Sequence, residues 1–546
     1  MTTTGVTADL DDLAVRERWY QSEGWWTAET LPDRVLRHCR ADPAAIAVTG
    51  PHTRLTRGEL AAQVDTAAAA FRQLGVTPGE RVLVQLPNEP ELIVVVLALA
   101  RIGAAAVLAV PGLRERELRH VTETARACAI VVSERAQHGA NLAVGRLLAA
   151  SCPSVRHLIV SGAAAAGEIS LRDLFTGSAP AIQDTTDPSG PALYLLSGGT
   201  TGLPKLIPRT HRDYVCNLTV SIAAAGLGPD SVYLAALPVC HNFALGCPGV
   251  LGALAAGGRV VLTEARLVDA TLDVLAAERV TIVAAVPGLA VRWAERARQR
   301  QQSRKTLDVL QVGGARLHGT HARELAATFG CTVQQVYGMA EGLLCFTRLG
   351  DPPDVIEWTQ GRPASPGDQY RLVDETGTDV PPGEQGELWV RGPYTIPGYL
   401  AGPEVNGASF APGGWYRTGD VIRPHPSGNF VVEGRRKDFI NTDGEKVSAE
   451  EVEELTETHP LVAHAAVVAA PSELSGEEVC LYVIRRGEAE TELTLSELRR
   501  YLTGQGMARY KLPGRLRVVA ELPVTAVGKV DKAELRNREL GQREER

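Results

Sequence analysis

Short apolar runs recur along the first third of this chain, and a stretch of helical length separates each from the next. Residues 81–86, 105–110, 129–133 and 157–161 read as strands. Residues 45–48 and Leu55 suggest a hairpin. Residues 56–74 read as a helix, with Thr56 and Glu59 as a capping box and Gly75 as its end. Another helix starts at Pro90 and stops at Gly103. Strand and helix in alternation argue for α/β architecture, a parallel sheet with helices on its faces. The alternation returns at 232–237, 259–262, 282–285, 309–312 and 332–337, which predicts a second α/β subdomain. From Gln360 the pattern changes. Runs at 370–373, 386–391 and 429–432 alternate with turns such as PPGEQG, a smaller β-rich subdomain.

At 546 residues the chain is too long for one core. The sequence divides near GRRKD, at residues 434–438. This gives a large N-terminal domain, 1–434, and a small α+β C-terminal domain, 435–546. In the latter, 449–457 and 495–502 read as helices and 465–469 and 480–484 as strands. The 56 basic and 64 acidic residues leave a net charge of −8, which argues against a nucleic-acid partner. Nine cysteines without a C-x-x-C pair suggest reduced thiols in a cytoplasmic protein. The polar start MTTTGVTADLDD shows no signal peptide. The most apolar run, 92–110, is broken by Arg101 and Gly103, so it reads as a buried helix and strand and no membrane is expected.

Residues 195–211 read LLSGGTTGLPKLIPRTH. An apolar strand opens into Ser197, Gly198, Gly199, Thr200, Thr201 and Gly202, and Lys205 follows. Glycines let backbone N–H groups turn toward an anion, and the hydroxyls and ammonium add donors. A Walker A loop does not fit, because Leu206 stands where Ser or Thr is required. Taken alone, the stretch is better read as a surface linker. Four further motifs argue otherwise: GGAR at 313–316, YGMAEG at 337–342, YRTGD at 416–420, and LPVTAVGK ending at Lys529.

In this order the motifs resemble the adenylate-forming superfamily of acyl-CoA synthetases, luciferases and peptide-synthetase adenylation domains. SGGTTGLPKLIPRTH is similar to the stand-alone aryl-acid AMP ligases of siderophore biosynthesis, Leu206 included. The resemblance implies that the loop and Lys205 bind ATP phosphates. It implies an adenine side of Gly314, Ala315, Arg316, Tyr337, Gly338, Met339 and Ala340, with Tyr337 stacked on the base; the residues themselves read as Tyr337 ending a strand and Gly338 allowing a sharp turn. Asp420, read as following a strand-turn, would accept the ribose hydroxyls. Arg435 would reach ribose or phosphate, and Glu341 would hold Mg²⁺. Catalytic roles fall to Lys529, bridging carboxylate and α-phosphate, to His241, and to Lys437, a hinge for the C-terminal domain.

The acid site follows from LPVCHNFALGCPG at 237–249. The resemblance places His241, Asn242, Phe243, Cys247, Gly314, Gly338 and Leu344 around the substrate. Amino-acid-activating relatives carry Asp where Asn242 stands; an uncharged amide suits an acid without an α-ammonium and can pair a phenolic oxygen. Cys247 and Leu344 replace the serine and valine of dihydroxybenzoate-type relatives, so salicylate or a methylsalicylate is expected. The implied reaction forms aryl-AMP from the acid and ATP, then transfers the aryl group to the phosphopantetheine of a separate carrier protein. A 2,3-dihydroxybenzoate ligase, an aryl-CoA ligase and a catalytically silent binding protein are the alternatives.

Overall fold

The computed structural model describes residues 11–176, 186–197, 203–263, 267–300, 306–442, 445–472, 476–487, 493–505, 507–525 and 529–541. Most apolar runs form strands where the sequence places them. Ala129–Ser133, His157–Ser161, Arg259–Leu262, Ile282–Ala285 and Gly386–Arg391 match residue for residue. The helix after Thr56 spans Arg57–Gln73, and its capping box with Glu59 is formed. Gly75 follows at φ +78°, a conformation cheap only without a Cβ.

The chain divides into two compact units. Among the described residues, the first gathers those of Met1–Gly199, Leu203–Tyr370 and Val390–Arg417, and the second those of Arg371–Trp389 and Thr418–Arg546.

The first unit holds two large sheets. A seven-stranded sheet runs, edge to edge, Ile169–Ser170, His157–Ser161, Ala129–Ser133, Arg81–Gln85, Ala105–Leu108, Pro191–Leu196, Leu206–Thr210. Its strands pair in parallel except the last, Leu206–Thr210, which returns antiparallel on Pro191–Leu196. A nine-stranded sheet has five parallel strands at its centre, in the order Thr332–Met339, Val309–Gly313, Ile282–Ala285, Val232–Ala235, Arg259–Leu262. Helix Pro90–Arg101 is buried on all sides from Leu92 to Ala100. That explains its uninterrupted apolar run; no described helix is long and apolar enough to cross a membrane. The chain beyond Gln360 is β-rich, as its alternating runs predict, with strands Gln369–Val373, Gly386–Arg391, Phe410–Ala411, Trp415–Pro424 and Phe430–Arg435.

In the second unit a further five-stranded sheet has the order Glu445–Ser448, Phe439–Thr442, Gly476–Arg485, Val462–Ser472, with Arg515–Val518 parallel to Gly476–Arg485. Ile440, Val452, Val467, Leu481 and Leu498 make its core with helices Ala449–Glu457 and Leu495–Gly504.

One buried carboxyl stands out in the first unit. Asp368 accepts from the Tyr394 hydroxyl and from the Ser365 N–H, while its Oδ1 is buried without a partner among the described residues. Burial pushes its pKa up to about 7, against the lowering by those two donors. An unfolded aspartate titrates near ~3.9, so the folded state holds the extra proton between these values. The group's contribution to stability is therefore complete below about pH 4 and is lost as pH rises through about 7. Urea unfolding at pH 5 and pH 8 should show wild type losing more stability than Asp368→Asn; equal losses would refute this.

Candidate active site

Strand Pro191–Leu196 turns back as Leu206–Thr210, and the loop between them closes at its neck. The Ser197 N–H donates to the Lys205 carbonyl at 3.0 Å, and the Lys205 N–H donates to Ser197 Oγ at 3.0 Å. Gly198, Gly199, Thr200, Thr201 and Gly202 lie outside the described residues. Lys205 Nζ donates to Ser409 Oγ at 3.2 Å and lies 4.7 Å from the centre of the Tyr399 ring. The Tyr399 hydroxyl donates to Glu341 Oε1 at 2.8 Å and stands 3.1 Å from the Tyr416 hydroxyl. Burial, then the charge of Glu341, raises the Tyr399 pKa, so it remains a protonated donor. Lys205 and Glu341 thus meet at one phenol. An ammonium for phosphate oxygens beside a carboxylate for a hard cation is what a metal-bound polyphosphate requires. Among the described residues no group of three or more His, Cys, Asp or Glu could hold a metal. A lone carboxylate such as Glu341 could serve an ion whose other ligands come from phosphate and water.

The motifs expected on the adenine side sit at the carboxyl ends of neighbouring parallel strands, where doubly wound sheets bind ligands. Gly313 ends Val309–Gly313 and pairs with Val336 of Thr332–Met339. A Cβ on Gly313 would lie 2.6 Å from the Val336 carbonyl and 3.1 Å from the Phe243 ring, so glycine is required there. Gly314 follows at φ +87°. Gly314, Ala315 and Gly338 are exposed, and Arg316, Tyr337, Met339 and Ala340 are half-buried. Gly338 does not make the sharp turn expected of it. It stays in the strand, opposite Leu344, and the turn comes at Ala340 and Glu341. Its missing side chain instead makes room for Leu344, whose Cδ2 would lie 2.7 Å from a Cβ.

Of the residues expected at the acid, Asn242 and Phe243 lie on a short helix, Asn242–Gly246, with His241 as its N-cap and Cys247 as its C-cap, while Gly338 and Leu344 face each other across paired strands. His241 Nδ1 accepts the Phe243 N–H at 3.3 Å. Asn242 is buried, and its Oδ1 accepts the Tyr214 hydroxyl at 2.8 Å. Asn217 Nδ2 donates to the Gly246 carbonyl at 2.5 Å. Both clamps come from helix His211–Ala225. Arg209, wholly buried, stacks on Tyr214 at 4.8 Å and donates to Asp213 at 2.9 Å. It also reaches the Ala340 carbonyl at 3.0 Å, fixing the turn before Glu341. Cys247 and Leu344 are buried, and burial pushes the Cys247 thiol up to about 12. Sequence reasoning passed over Tyr214, Arg209 and Tyr399. Arg209 stood inside the quoted RTH stretch, but nothing local marks a partner 131 residues away.

In the second unit Asp420, Arg435 and Lys529 come together. Asp420 lies inside strand Trp415–Pro424, opposite Arg435, and not after a strand-turn: Gly419 at φ +71° is accommodated within the strand. Arg435 Nε is 2.9 Å from Asp420 Oδ1. Lys529 sits on a loop closed by the Thr525 N–H to its own carbonyl, 2.7 Å, and by a bridge between Val524 and Val530. The residue is exposed overall, but its ammonium is crowded. Desolvation, then the like charge of Arg435, lowers its pKa against the pull of Asp420. Lys437 lies in the one-turn helix Arg436–Asp438.

Comparison with known proteins shows the family. Residues 35–400 match the model "AMP-binding enzyme", and 451–529 match "AMP-binding enzyme C-terminal domain". A Streptomyces salicylyl-CoA synthase / salicylate adenylyltransferase is 46% identical, over 95% of both chains. The 2,3-dihydroxybenzoate-AMP ligase of Bacillus subtilis (strain 168) is 43% identical, over 97% of each. The apo structure of Mycobacterium smegmatis MbtA is 44% identical with a TM-score of 0.74, covering 96% of this chain and 98% of that one.

Proposed function

The chain belongs to the AMP-binding enzyme family, and on that premise we propose that it activates a 2-hydroxyaryl acid, salicylate or a methylsalicylate, with ATP. A carboxylate oxygen attacks the α-phosphorus and pyrophosphate leaves, giving aryl-AMP. The thiol of a carrier protein's phosphopantetheine then attacks the acyl carbon, losing its proton as AMP departs. The carboxylate is already ionised at neutral pH, so the site needs charge and positioning more than a base. Lys205 and the 197–202 loop receive the phosphates, Tyr337 the adenine, Asp420 and Arg435 the ribose side. Glu341 would hold Mg²⁺, which would neutralise phosphate charge. Lys529 would bridge the acid and the α-phosphate, with His241 beside the reacting carboxylate. Lys437 would serve as the hinge that exchanges the adenylating arrangement for the thiol-accepting one. The reduced, buried cysteines suit a cytoplasmic enzyme.

One observation carries the substrate reading: the polar side chain of the Asn242–Gly246 helix is a buried, uncharged amide. An amide brings no negative charge to pair an ammonium, and Cys247 and Leu344 add buried apolar wall. A catechol's second hydroxyl would be stranded, at a cost of ~1–3 kcal/mol. ATP–pyrophosphate exchange should therefore favour salicylate or methylsalicylate over 2,3-dihydroxybenzoate, by about tenfold or more in kcat/KM. Cys247→Ser should narrow the gap. A wild-type preference for 2,3-dihydroxybenzoate would refute the substrate assignment.

A second acceptor is free coenzyme A. The name of the Streptomyces relative, which includes salicylyl-CoA synthase, favours it. Thioester formation with coenzyme A against a loaded carrier protein separates the two.

A further inference from the structure

Tyr214 has no place in the chemistry described above, yet it is wholly buried against the residue that carries the substrate reading. Its hydroxyl has one hydrogen-bond partner among the described residues, Asn242 Oδ1 at 2.8 Å. The opposite amide orientation would point Nδ2 at the phenol oxygen and leave the phenol proton buried without an acceptor, which is costly. Burial raises the Tyr214 pKa, so that proton is retained. The ring is held too. Arg209 stacks on it at 4.8 Å, and Gly246 lies so close that a Cβ there would run into the hydroxyl. With Oδ1 engaged, nothing among the described residues accepts from Asn242 Nδ2.

We propose that Tyr214 is a positioning residue that sets the polarity of the acid site. By holding Asn242 Oδ1 it presents Nδ2 as a fixed donor, and so selects acids with a hydrogen-bond acceptor ortho to the carboxylate over acids with a donor there. This rests on the aryl-acid reading. In salicylate the phenolic proton turns inward to the carboxylate and leaves an oxygen lone pair outward. In anthranilate the nitrogen lone pair is drawn into the ring, and the outward N–H would confront the Asn242 N–H.

The test is ATP–pyrophosphate exchange with salicylate, anthranilate and benzoate. Wild type should prefer salicylate to anthranilate by about tenfold or more, the scale on which a site built to pair one polar group rejects its mismatch. In Tyr214→Phe the amide is free to turn over. That ratio should fall about fivefold or more, chiefly through KM for salicylate, and the loss with salicylate should exceed the loss with benzoate. Gly246→Ala, which displaces the hydroxyl with Tyr214 intact, should move the ratio in the same direction, and it decides the matter if Tyr214→Phe does not fold. An unmoved ratio, or equal loss with all three acids, overturns the proposal while leaving the aryl-acid reading intact. Exchange with no aryl acid at all overturns both.

Discussion

Lys529→Ala should lower acid-dependent ATP–pyrophosphate exchange by about 10²–10³-fold, the usual effect of removing one preorganised charge contact to a transition state. The substitution removes the ammonium and leaves the loop, since the bonds that close it are backbone and Thr525 contacts. Thioester formation from supplied aryl-AMP should survive largely intact, because the carboxylate has by then been activated. The lowered pKa of Lys529 has a further consequence. Desolvation and Arg435 make its charge costly against the pull of Asp420, and two incoming anions would relieve that cost. Equal loss of both half-reactions would exclude the bridging role.

Lys437→Pro should abolish one half-reaction and spare the other. The residue sits in a one-turn helix between strands Phe430–Arg435 and Phe439–Thr442, an element-terminal position of the kind that absorbs hinge rotation. Proline fixes φ near −65° and would hold one backbone state. Pyrophosphate exchange and thioester formation from supplied aryl-AMP, measured on the same preparation, report the two steps separately. A variant competent in both would show that the chain does not turn here.

Much of the α/β scaffold was legible because a strand buried on both faces leaves an unmistakable apolar run, as in Ala129–Ser133 and Ile282–Ala285. The elements that escaped reading are those whose sequences also carry chemistry. Leu206–Thr210 contains Pro208, which looks like a strand breaker. It is tolerated because the strand is an edge of its sheet. Trp415–Pro424 carries Gly419 and charged residues and reads as a turn, but half-buried and buried positions alternate along it from Trp415 to Ile422. Within the candidate site, motif residues could be named because each lies in a local pattern. Tyr214, Arg209 and Tyr399 act on residues 28 to 131 positions away, through contacts that only the folded chain creates.

All nine cysteines are unpaired, and all but the half-buried Cys331 are buried. An aryl-adenylate is an acylating agent, and a thiolate is its natural target. Cys247 lies in the acid-site sequence itself, yet burial pushes its thiol up to about 12, and Cys240 is raised equally. At neutral pH such groups are protonated and poorly nucleophilic. In the proposed reaction these two thiols would not compete with the acceptor thiol for the mixed anhydride.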